Sequence, residues 1–270
     1  MRPLPSALFC SCLLAAVVAC SGRPGDIVLA APPGLHLSGF TDFVVPAFEA
    51  ESGVRVTVVP TYAMFDGPEG GVADVVIGHD PEAEQQAINA GLVGYYRKAM
   101  FNRFLLVGPE DDPAGVRDAP SVADALSRIA RAGAPYISRA DGSPTAARQR
   151  SLWRLAGVPA PGIETPDGTA AALRLASSRG AYTLTVRSLY ERLSGELTLV
   201  PLFERDDALL NTYSVSVRKG SPRAAQAFAE WLAEGDGRPL IERFRAGGKA
   251  VFSVWPITAP SATPDAIPNY

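Results

Sequence analysis

Short apolar, β-branched runs alternate with segments of helical period along most of the chain, and this alternation limits the fold more than any other feature. Asp26-Ile27-Val28-Leu29-Ala30 has the length of a strand, after which Phe40, Phe43, Val44, Ala47 and Phe48 recur at helical spacing. Val54 to Val59 is a β-branched run that follows the Ser52-Gly53 stop. Strand, helix, strand in that order predicts a parallel pair with a right-handed crossover. Pro46 is expected to kink the intervening helix or to sit in its first turn. Ala73 to Gly78 is a buried-type strand, and Asp80 with Pro81 opens the next helix as cap and first helical residue. Phe104 to Gly108 is a further strand, and Ser121-Val122-Ala123-Asp124 has the form of a capping box before Val122, Ala125, Leu126 and Ile129 on one helix face. Thr169 to Ser178 reads as a helix, Ala181 to Thr185 as a strand, Leu197 to Phe203 as an apolar run and Tyr213 to Val217 as a strand. Two amphipathic helices, about 222–234 and 237–246, close the pattern. The result is an α/β architecture, in which ligands bind beyond the carboxyl ends of strands.

The start of the chain is of a different kind. Arg2 precedes an apolar stretch through Leu13-Leu14-Ala15-Ala16-Val17-Val18, and small residues follow. Residues 1–19 are therefore expected to be an export signal, too short to span a bilayer as a mature helix. Val17-Val18-Ala19-Cys20 resembles a lipobox, which would make Cys20 the lipidated first mature residue and 20–25 a tether; the plainer reading is a cleaved signal with a chance cysteine. Cys10 and Cys12 fall within the signal, so Cys20 alone would remain, which excludes a disulfide framework, a cysteine nucleophile and a thiolate metal site. Loss of Arg2 takes the formal charge from -3 to -4, a balance with no electrostatic footprint for nucleic acid. About 235 residues then precede a Pro-rich tail, enough for one large or two medium domains.

The most informative loop is Ser138-Arg139-Ala140-Asp141-Gly142-Ser143-Pro144-Thr145. It joins the strand-like Ala134 to Ile137 to a helical segment, 146–156. Unpaired amides at a helix start attract anions, and arginine adds a planar charged donor. Two readings stand at this point: an anion site, or a turn in which Arg139 only pairs with Asp141. His79 with Asp80, Glu82 and Glu84 has metal-ligand residue types, but capping and the helix dipole account for the acids more simply, and no metal is expected. His36 and His79 are the only histidines, and neither stands in an evident arrangement with a serine and an acid, so no enzymatic activity and no cofactor are expected.

Several segments resemble the tungstate-binding proteins of ABC transporters, a type II periplasmic-binding-protein family. These are Leu105 to Gly115, Ala73-Asp74-Val75-Val76 with His79 to Glu84, and Gly180 to Thr185. Asn211 with Tyr213-Ser214-Val215, and Phe244-Arg245 with Gly248-Lys249, add to them. The resemblance runs from about Ile27 to Phe252. It implies the type II fold: two α/β lobes joined by crossing hinge strands, with 26–103 and 206–256 in lobe 1, 104–205 in lobe 2, and 257–270 as a Pro-rich tail. It further implies a solute receptor, expected to be monomeric, to which the signal and the lipobox at Cys20 add export and a lipid anchor in the cell envelope. This receptor would close on a tetrahedral oxyanion, tungstate or molybdate, and serve an ABC permease.

Carried over residue by residue, Arg139, Ser143 and Thr145 match the family's Ser-Arg-Gly-Asp-Asp-Ser-Gly-Thr loop, with Gly142 and Pro144 as departures. Ser38, Thr61, Gly168, Thr169 and Arg187 complete the expected ligand-binding set. The family's Thr-Thr-Thr-Ser is replaced by Ala31-Pro32-Pro33-Gly34, its Gly-Thr-Gly-Gln by Pro60-Thr61-Tyr62-Ala63, and its aspartate before Arg187 by Val186. Pro32, Pro33, Pro60 and Pro144 each delete a backbone donor. Four donors lost at roughly 1.5 kcal/mol each would remove about 6 kcal/mol, or about four decades of affinity. Tyr62, Met64 and Phe65 would suit an organic ligand in the cleft or serve as ordinary core. The alternatives to oxyanion transport are thus an organic ligand, or an envelope lipoprotein acting through a protein partner.

Overall fold

The computed structural model describes residues 25–65, 71–160 and 162–257. The expected signal peptide, Cys20, most of the tether and all but the first residue of the Pro-rich tail lie outside them. Strand β1 (Ile27–Ala31) runs into a short helix, α1 (Pro33–Leu37), and then α2 (Phe40–Ser52). Strands β2 (Val56–Pro60) and β3 (Val75–Gly78) both pair parallel with β1, as the strand, helix, strand order predicts. Pro46 lies in the interior of α2, beyond its first turn, and the helix continues through it to Ser52.

Helix α3 (Pro81–Asn89) starts as expected: the Asp80 carboxylate accepts from the amides of Glu82 at 3.1 Å and Ala83 at 3.2 Å, and Pro81 takes a position where an N–H would be idle. Strand β4 (Val93–Gly108) is 16 residues long and changes partner along its length. From Val93 to Arg103 it lies antiparallel to β9 (Leu210–Arg218); from Phe104 to Val107 it lies antiparallel to β7 (Tyr182–Val186). Helix α4 (Val122–Arg131) is capped by Ser121, whose Oγ accepts from the Asp124 amide at 3.2 Å. Strand β5 (Tyr136–Arg139), α5 (Pro144–Ala156), β6 (Ile163–Thr165) and α6 (Gly168–Arg179) follow. After β7 come α7 (Arg187–Leu193) and β8 (Val200–Phe203); after β9 come α8 (Arg223–Ala233) and α9 (Arg238–Arg243).

The main path through the sheet is β2-β1-β3-β9-β4-β7-β5-β6. Apolar side chains gather in two large clusters on either side of the β4 crossover. One draws on 104–209, with Tyr136, Trp153 and Tyr182; the other on 27–56, 75–100 and 213–252, with Phe40, Phe48 and Phe228. The last expected helix is shorter than its pattern suggested. It stops at Arg243, and Arg245–Ala246 (β10) pairs with Lys249–Ala250 (β11) as a hairpin. The Gly247-Gly248 turn, with φ of 54° and 80°, needs the left-handed backbone that two-residue hairpins favour. A last short strand, β12 (Ser253–Val254), pairs with β4.

Candidate functional site

Arg139 is the last residue of β5, at the carboxyl end of a parallel strand, and its side chain is fully buried. The guanidinium lies in the interior, with Asp141 of the following loop, Thr169 and Tyr62 all set against it. The Asp141 Oδ2 accepts from Arg139 Nε at 3.1 Å and also from Nη2, and Oδ1 accepts from the Ser143 amide at 3.2 Å. Burial alone would raise the Asp141 carboxyl; hydrogen bonds from Arg139 and Ser143, with the guanidinium charge, outweigh that and hold it below the usual carboxylate range. The pairing of Arg139 with Asp141 is therefore present.

The guanidinium does more than pair with that acid. Nη1 donates to Thr169 Oγ1, which the second residue of α6 brings to the same point, and Nη2 donates to the Tyr62 hydroxyl at 3.2 Å. Tyr62 follows β2, on the other side of the β4 crossover, so this bond joins the two halves of the sheet. A guanidinium has five N–H donors. Asp141 takes two of them and Tyr62 and Thr169 one each, leaving a single Nη1–H without an acceptor among the described residues.

The remaining expected site residues divide. Ser143 is fully buried and acts as the cap of α5, its Oγ accepting from the Ala146 amide at 3.1 Å. Thr145 is buried in the first turn of the same helix. Gly168 begins α6 beside Thr169 with φ of 82°. Thr61 neighbours Tyr62, and its Oγ1 accepts from the Ala63 amide at 3.1 Å. Two residues have other partners. Arg187 is tied to Glu191 at 3.2 Å and to Glu204, in a network completed by Lys249 on β11 at 2.9 Å from Glu191. Ser38 donates to the Leu35 carbonyl at 2.6 Å and lines a groove of about 460 Å³ with Phe43, Arg192, Arg243, Phe244 and Arg245. The region of the expected first anion loop is the start of α1: Pro32 precedes the helix and Pro33 is its first residue, so Pro33 forfeits only a donor that a helix start leaves free. A Cβ on Gly34 would stand 3.8 Å from Val186 and Leu189 side-chain atoms and 4.0 Å from Thr169 Oγ1, so α1 reaches the second half of the sheet beside Thr169.

Sequence reasoning left three kinds of residue out of the site. Tyr62 was legible only as an aromatic near the cleft; its bond to Arg139 joins residues far apart in the chain. Arg148 stands three residues beyond Thr145 on α5, so helical spacing puts both on one face, a signal present in the sequence. The third is His79, which is buried, hydrogen-bonded through Nδ1 to Asn211 Oδ1 at 3.1 Å and stacked on Tyr213 at 5.1 Å. Burial lowers its pKa to about 4, with the charges of Arg139 and Arg148 acting in the same direction, so the ring is neutral at pH 7.

Residues 28–236 match the model described as a PBP superfamily domain. The chain belongs to the PBP superfamily. The tungstate-binding protein TupA of Peptoclostridium acidaminophilum, one of its PBP-type relatives, is 30% identical over 256 residues, 90% of this chain and 86% of that protein. Among solved PBP structures, the tungstate ABC transporter protein of Geobacter sulfurreducens superposes with a TM-score of 0.72 at 28% identity, covering 81% of this chain and 98% of the other. TupA of Desulfovibrio alaskensis G20 gives 0.71 at 27% identity, covering 84% and 98%. The mixed sheet with its crossing strands is thus a type II PBP fold. Among the described residues no helix is long and apolar enough to cross a membrane.

Proposed function

We propose that this protein is the extracytoplasmic solute-binding component of an ABC importer and takes a tetrahedral oxyanion of the tungstate or molybdate type. The relatives named for tungstate support the ligand class. The observation that carries the reading is the buried Arg139 guanidinium at a strand end, held between Thr169 on one side of the sheet and Tyr62 on the other. In this reading 26–103 with 206–256 form one lobe and 104–205 the other, and they close about β4 and β9. Closure excludes water, which strengthens each bond to the anion. The protein binds without turnover, acts as a monomer anchored through Cys20, and hands its ligand to a permease.

A second reading, an envelope protein acting through a protein partner, draws on one observation: Asp141 already neutralises Arg139. Calorimetric titration with tungstate, against molybdate, sulfate and phosphate, separates the two. Saturable tungstate binding is expected. A folded protein that gives no heat with any of the four anions overturns the transport reading.

A further inference from the structure

We propose that the Tyr62 hydroxyl is a direct ligand donor: it accepts a hydrogen bond from Arg139 and directs its own proton to the bound anion. This rests on the oxyanion reading above and deepens it by naming a side chain that replaces lost backbone donors. A phenol has one proton to give and lone pairs to receive. Here a lone pair is engaged by Arg139 Nη2 at 3.2 Å, and the hydroxyl donates to no described residue. Thr169 is in the same position: its Oγ1 accepts from Nη1, which leaves its proton free. Together with the remaining Nη1–H, two hydroxyl protons and one guanidinium proton are left unspent on and beside the two terminal nitrogens of a single planar group. Three donors about one edge of a cation complement the oxygens of a small anion and offer nothing to a second cation.

Tyr62 also accounts for how the site tolerates Pro60. Pro60 closes β2 two residues earlier, and it carries no N–H to give. A tyrosine at the next position but one can span to Arg139 and return a donor from a side chain. Such a donor differs from an amide in one testable respect, since a single oxygen can be removed without altering the backbone.

The test titrates wild type and Tyr62→Phe with tungstate, and follows thermal unfolding of both without ligand. Tyr62→Phe is expected to bind about tenfold or more weakly, the loss of one hydrogen bond to a charged group. Thr169→Val is expected to weaken binding similarly. Equal or tighter binding by Tyr62→Phe overturns the proposal, including the case in which the variant melts earlier but binds normally; Tyr62 would then only bridge the two halves. Failure of wild type to bind any of the four anions is a different result, and it overturns the oxyanion reading together with this one.

Discussion

Arg139 shows what a single residue's environment does to the outcome of changing it. Its side chain is fully buried and that of Asp141 is 8% exposed, so removing the arginine leaves a carboxylate without its charge partner, held only by the Ser143 amide. Arg139→Ala is therefore expected to cost about 3 kcal/mol or more in stability, measured by chemical denaturation. The double variant Arg139→Ala, Asp141→Ala should recover a large part of that cost. Equal stability of single and double variants would show that the pair is not coupled. The residue types of this loop were legible in the sequence, because a strand end, an arginine and a capped helix announce themselves locally. What the sequence did not carry was depth: burial of Arg139 depends on Thr169 and Tyr62, which arrive from α6 and from the end of β2.

Elements were legible wherever their ends are fixed by local chemistry. Asp80 caps α3 through two amides, and its replacement by alanine should cost about 1 kcal/mol while Asp80→Asn should cost much less, as read by thermal unfolding. The Ser121 and Ser143 caps have the same local origin. Elements governed by distant partners were harder to place. Pro46 sits inside α2, where tertiary packing of Val44, Val45 and Phe48 outweighs one missing donor. The apolar pattern around 237–246 fits a helix to its end, yet Gly247 and Gly248 turn the chain into a hairpin. A Cβ at Gly247 would collide with the Glu191 carbonyl oxygen. Gly247→Ala should therefore displace the hairpin from α7 and lower the melting temperature. Gly248→Ala meets only its own backbone strain, since a Cβ there would have nothing within 4 Å.

At the scale of the whole molecule, two buried groups near β3 and α3 titrate in opposition. Glu84 accepts from the Tyr96 hydroxyl at 3.0 Å and the Asp80 amide at 3.2 Å, and burial raises its pKa from 4.5 to about 7. The folded state thus holds an extra proton between pH 4.5 and 7, so this group's contribution to stability falls as pH rises through that window. His79, lowered from 6.5 to about 4, does the reverse: the unfolded chain holds the extra proton, and stability rises with pH between 4 and 6.5. Each effect is worth about 3 kcal/mol across its window, and they largely cancel where they overlap. Glu84→Gln should therefore unmask a stability that climbs from pH 4.5 to 6.5, measured by denaturant midpoints; an unchanged profile would remove Glu84 from this balance. The continuous β4 strand has a further consequence, in the order of events during synthesis. β3 takes its neighbour β9 from the far side of the intervening cluster, with Val76 beside Ser216, whereas the cluster built from 104–209 is complete in one uninterrupted stretch. A chain emerging from its N-terminus carries β1, β2 and β3 without their closing strand until that whole stretch has been made. The middle of the protein is thus poised to fold first, around Trp153, and the first-made strands last, around Trp231, so the earliest sequence to appear is the one that waits longest for its structure.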